Sequence, residues 1–275
     1  MKYFTLYKSF LIVVCMILFV MPLQQGEAFA FRINKGSFRV QLSKGETYNG
    51  AVEIDNSTEQ PLVVKAYMND FVYVSPFNGD KEFYPPDSTK VSLAKWINFS
   101  PHELTVPPYS KGSVNFTVLP DEEFDSVRCG VLFFESSVGV TYEEERAINV
   151  LGRIGTLVFV EPKIKEKNIN FYNIEGTNRK IGGSLKNTGN TFLHLKGTYF
   201  VMDNEGMVKD RGEVKEVYFL SGDQTTLDVT LSQTLSSGSY MLILTFDLED
   251  GDIAVKEIDF SVSSLGEVEI LGIRD

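Results

Sequence analysis

The chain has 275 residues, two cysteines and a formal charge of -11 at pH 7. An acidic chain with no basic cluster argues against nucleic acid and anionic membrane surfaces as partners. Two cysteines are too few for a disulfide framework, so stability must come from core burial.

Residues 1–30 read as a secretory signal peptide. Lys2 and Lys8 give a basic start, Leu11–Val20 is an apolar run, and Ala28-Phe29-Ala30 is a small-x-small cleavage site. Cleavage after Ala30 leaves 245 residues with 24 basic and 36 acidic side chains, a charge of -12. Cys129 is the one cysteine left, in the apolar run Val127–Phe134, where it reads as a small buried hydrophobe. No later apolar stretch is long enough to span a bilayer, so the mature chain is expected to be periplasmic or secreted.

From there on helical periodicity is nearly absent. Short alternating runs recur between turn residues, which is the pattern of β-sandwiches. The expected strands of a first domain are 38–42, 48–55, 62–68, 95–98, 113–119, 128–135 and 148–160. Two long loops interrupt them. Residues 74–93 are rich in Pro, Gly and aromatics, and 136–146 contain Thr141-Tyr-Glu-Glu-Glu-Arg. The proline and charge run Glu161-Pro-Lys-Ile-Lys-Glu-Lys-Asn168 marks a boundary. A second set of strands is expected at 169–174, 180–185, 193–202, 214–219, 224–229, 240–248 and 254–262. The fold class is therefore all-β, with two consecutive immunoglobulin-like β-sandwiches, 31–162 and 163–264, and a tail at 265–275.

Chemistry is scarce. His102 and His194 fall in different domains and lack ligands at metal spacing. No nucleophile-elbow, zinc or phosphate-loop motif is present, and no cofactor or catalytic residue is expected. Asp247-Leu-Glu-Asp-Gly-Asp252 is dense in oxygen ligands, but its spacing suits a hairpin turn better than a calcium loop.

The long strand-like run Ala147–Pro162 stands out. It is apolar on both alternating faces, so it is either a buried core strand or a sheet edge open to another chain.

The order of several segments resembles the PapD-like periplasmic pilus chaperones. These are Val52–Asn56, Leu62–Tyr67, Phe99-Ser-Pro101, Leu104–Pro108, Arg128–Glu135 and Leu157–Pro162, followed by a second sandwich. The resemblance implies a non-enzymatic chaperone. It would bind an exported client, such as a pilin-like subunit, by strand addition along the last strand of the first domain. An outer-membrane assembly protein would be a further partner. Ile148, Val150 and Ile154 would be strand contacts. The family also carries a basic pair in the cleft that holds a client carboxylate. Here Leu157 stands at the best match for its lysine, and the nearest basic residue on the strand is Arg153. Arg32 and Arg39 are both available for its arginine, and Arg39 with Arg153 forms the candidate carboxylate site. The alternative is a structural or adhesive surface module that uses the 74–93 loop. A carbohydrate-active enzyme or lectin is a third reading; Phe83 and Tyr84 support it, while the single Trp96 counts against it.

Overall fold

The computed structural model describes residues 31–143, 146–177 and 179–274, with the backbone alone at 138–143 and 146–149. The expected export signal at 1–30 lies outside the described residues. All the described elements are strands, and no helix among them is long and apolar enough to cross a membrane.

The first sandwich contains β1 (Phe31–Ile33), β2 (Ser37–Gln41), β3 (Tyr48–Asn56), β4 (Leu62–Tyr73) and β5 (Lys81–Tyr84). It continues with β6 (Ile97–Ser100), β7 (Glu103–Val106), β8 (Lys111–Val118), β9 (Arg128–Glu143) and β10 (Arg146–Glu161). One sheet has the order β1-β3-β8-β6. The other runs β2-β10-β9-β4-β5, with β7 also on β4. The chain changes sheets between β1 and β2: Phe31–Ile33 pair antiparallel with β3, and Ser37–Gln41 pair parallel with the end of β10. Alternation decides which side chains go inward. Val52, Ile54, Val64, Phe116, Val118, Leu132, Phe134, Val158 and Val160 fill the space between the sheets.

The second sandwich contains β11 (Ile169–Thr177), β12 (Lys180–Asn187), β13 (Leu193–Asp203), β14 (Val208–Phe219), β15 (Gln224–Thr230), β16 (Gly238–Asp247), β17 (Ile253–Val262) and β18 (Val268–Arg274). A three-stranded sheet β11-β12-β15 packs over a five-stranded sheet β14-β13-β16-β17-β18. Phe171, Ile181, Leu185, Val201, Phe219, Leu242, Phe246 and Phe260 form its core.

Three expectations need correction. The segment 136–146 is not a loop. Its first residues extend β9, with Gly139 opposite Val150 and Glu143 opposite Arg146. The β-branched residues Val138, Val140 and Thr141 favour a strand more than the acidic run that follows opposes one. The segment 265–275 is not a tail, because Val268–Arg274 add to β17 as an edge strand. The 74–93 segment holds β5, paired with Asp70–Tyr73. Trp96 is buried and presents no sugar platform.

A third apolar cluster joins the sandwiches. Phe71, Tyr73, Phe133 and Phe159 of the first meet Phe192 and Leu220 of the second. Phe159 stacks on Phe192 at 4.6 Å, and Tyr73 stacks on both Phe192 and Tyr218. The 74–93 segment crosses here too. Phe77 meets Phe219 edge-on at 5.4 Å, and its carbonyl accepts the Tyr218 N–H at 2.8 Å. Cys129 is fully buried at the same junction, and burial pushes its thiol far up.

Candidate functional site

The strand β10 is core along one half and edge along the other. From Leu157 to Glu161 it lies between β9 and β2. The Leu157 N–H donates to the Gly36 carbonyl at 2.9 Å, and the Thr156 hydroxyl donates to Lys35 O at 2.8 Å. Before that point, Arg146–Gly155 pair with β9 only. The N-terminal half of β10 is therefore a sheet edge whose outward backbone groups have no strand partner among the described residues.

The two faces of this edge differ. Ile154 points inward with Val158 and Val160 and packs against the first core. Val150 shares that face by alternation, but it lies beyond the closed part of the sandwich and is 41% exposed. Ile148 stands opposite Thr141 in the ladder, and its side chain lies outside the described part. The structure thus separates the expected contacts: Ile154 belongs to the core, and Val150 lies at the open edge.

On the other face Leu151 is 56% exposed. Arg153 follows, its guanidinium 4.4 Å from the centre of the Phe133 ring and 5.8 Å from that of Phe83. Its Nη1 donates to the Tyr67 hydroxyl at 3.5 Å, and Tyr67 donates to Glu135 Oε2 at 3.0 Å. Gly155 makes this platform possible. A Cβ there would come within 2.7 Å of Val131 Cγ2 and 2.9 Å of the Phe133 ring.

Arg39 sits elsewhere, at the junction of the sandwiches. It donates to Glu249 Oε2 at 2.6 Å, to Glu161 Oε1 at 2.7 Å and to the Phe192 carbonyl at 2.9 Å. Glu161 is only 1% exposed and also meets Lys165 at 2.8 Å and the Thr191 hydroxyl. Burial pushes the Glu161 carboxyl up, but the hydrogen bonds from Lys165, Thr191 and Arg39 outweigh it and hold it below the usual range. Arg153 and Arg39 therefore do not form one site. Arg39 is saturated by the protein's own carboxylates, whereas Arg153 rests on aromatic rings.

The remaining polar candidates have local partners. His194 Nε2 pairs with Glu216 at 2.7 Å and stacks on Tyr218, while His102 packs against Phe99. Asp250 and Asp252 hold the ammonium of Lys167 at 2.9 and 3.0 Å, so the acidic turn after β16 anchors the inter-sandwich segment. Alternation along the strand puts Leu151 on one face with Arg153, and Phe83 was singled out only as a sugar contact; Phe133 and Tyr67 were missed. Leu151 was legible as the residue two before Arg153, but the three rings come from β9, β5 and β4 and meet only in the fold.

No family model matches the chain, and no curated protein matches it. Many solved structures are similar, and two of them serve as examples. One is the chaperone–tip adhesin complex of CFA/I fimbriae biogenesis, with 13% identity and a TM-score of 0.52, covering 82% of this chain and 96% of that one. The other is the class 5 fimbriae chaperone CfaA, also with 13% identity and a TM-score of 0.52, covering 82% of this chain and 97% of that one. At this identity the likeness is one of architecture, and the resemblance read in the sequence holds at that level: the chain has the two-sandwich fold of the PapD-like fimbrial chaperones.

Proposed function

We propose that this protein is an exported, non-enzymatic chaperone that binds a β-rich, pilin-like client by strand addition along Arg146–Gly155. One observation carries the reading: a ten-residue edge, with exposed Val150 and Leu151 on its two faces, pairs with β9 on one side only. An added strand would hydrogen-bond to the outward backbone groups, each bond worth about 1 kcal/mol net. It would also cover apolar side chains on both faces. The fold shared with CfaA, a fimbriae chaperone by its own description, supports the same reading. An export signal at 1–30, a division of the sandwiches after Pro162 and an outer-membrane assembly partner belong to this proposal. The structural-module reading has less support, because Phe77 of the 74–93 segment is engaged by the second sandwich.

The test is purification of residues 31–275 from the exporting host with whatever binds in stoichiometric amount. A small β-rich partner, lost when Ile148 and Val150 are changed to Asp in a protein that stays folded, supports the proposal. A partner retained by that variant, or a lone monomer under all conditions, contradicts it.

A further inference from the structure

We infer that Arg153 selects an acidic side chain on the strand that adds to β10. The inference rests on the strand-addition reading and states what that edge recognises: an Asp or Glu level with Arg153, and an apolar residue two positions away, level with Leu151.

Arg39 and Arg153 are in opposite situations. Arg39 spends its donors on Glu161, Glu249 and the Phe192 carbonyl. Arg153 has no carboxylate within ion-pair distance among the described residues, and its contacts are two rings and a phenol. Its cross-strand neighbour Glu135 accepts from Tyr67 instead. A guanidinium stacked on a ring keeps its in-plane N–H groups available, and their fork matches a carboxylate. Stacking also fixes the side chain before binding, so less rotamer entropy is lost on pairing.

The spacing suits a neighbouring strand. A strand added to the edge lies about 4.8 Å from β10, with facing Cβ atoms about 5 Å apart. A Glu or Asp at that level reaches the guanidinium without moving it off Phe133. Leu151 precedes Arg153 by two residues on the same face and is exposed, so the matching position on the incoming strand is apolar. Gly155, two residues after Arg153, has no side chain, and the Phe133 ring lies beside it. Along one face the recognised pattern is apolar then acidic at alternate positions, level with Leu151 and Arg153.

The experiment uses residues 31–275 and fluorescent synthetic peptides as long as the open edge. They alternate Val and Thr and differ only at a central Glu, Gln or Lys on one face. Fluorescence anisotropy reads their binding. The Glu peptide is expected to bind about five- to tenfold more tightly than the Gln peptide, with Lys weakest. The preference should shrink at about 0.5 M salt. It should disappear in Arg153→Gln, with Gln-peptide binding retained, and survive in part in Arg153→Lys. Equal binding of all three peptides by the wild type overturns the acidic preference and leaves strand addition standing. A Glu preference that persists in Arg153→Gln also overturns it. If no peptide binds the folded wild type, strand addition itself fails, and this inference with it.

Discussion

Arg39 and Arg153 look alike in the sequence and have different roles in the fold. Glu161 is almost completely enclosed, and Arg39 supplies part of the charge that keeps it ionised. Arg39→Met would leave that carboxylate buried with Lys165 and Thr191 alone. We expect a loss of about 3 kcal/mol in urea unfolding. Arg153→Met should cost under about 1 kcal/mol, because its contacts are at the surface. Equal losses would contradict the division of roles. Asp223 offers a second test. Burial pushes its carboxyl up to about 6, against the lowering hydrogen bond from the Leu220 N–H. The folded state thus holds this proton more tightly than the unfolded chain. The stability from that proton is complete below about pH 4 and is lost as the pH rises through about 6. Asp223→Asn stays neutral, so it should match the wild type near pH 4. Above pH 7 it should be more stable by about 1 to 2 kcal/mol, a figure reduced for partial exposure. Urea titrations across this range check it, and a constant offset at all pH values would refute the assignment.

At the scale of elements, the hairpin of β9 and β10 sets what the first sandwich can do. Most strands were legible from alternation, including β3, β4, β8 and the first half of β9. The short strands β1, β5 and β7 were not, because three or four residues carry too little periodicity to stand out. The extension of β9 past Ser136 was hidden by the acidic run behind it. Whether β10 was edge or core could not be read from its own residues, since both faces are apolar. The answer lies in β2, which covers Leu157–Glu161 and stops. Two substitutions separate close packing against β9 from the open edge. Gly155→Val would drive a side chain into Val131 and Phe133 and should cost about 1 to 3 kcal/mol. Val150→Asp, at the open edge, should change stability by under about 1 kcal/mol while abolishing client binding. A large stability loss from Val150→Asp would mean that the edge is covered.

At the scale of the whole molecule, the two sandwiches are held in one orientation by contacts of different kinds. Phe159 and Tyr73 stack on Phe192, Phe77 reaches Phe219, and Arg39 bridges to Glu249. None of these pairings was visible in the sequence, because each joins residues more than 30 positions apart. Phe77→Ala with Arg39→Met should loosen this junction. One alignment tensor should fit residual dipolar couplings from both sandwiches of the wild type, and two should be needed for the variant. A single shared tensor in the variant would show that the stacked rings suffice alone. Everything proposed for this molecule depends on Arg146–Gly155 accepting a strand. Amide hydrogen exchange, compared between the purified protein and its client complex, tests it most directly. Outward amides of this segment should exchange quickly in the protein alone and become strongly protected in the complex, while Leu157–Glu161 are protected in both. Protection of 146–155 without a client, or client-induced protection confined to the second sandwich, would contradict it.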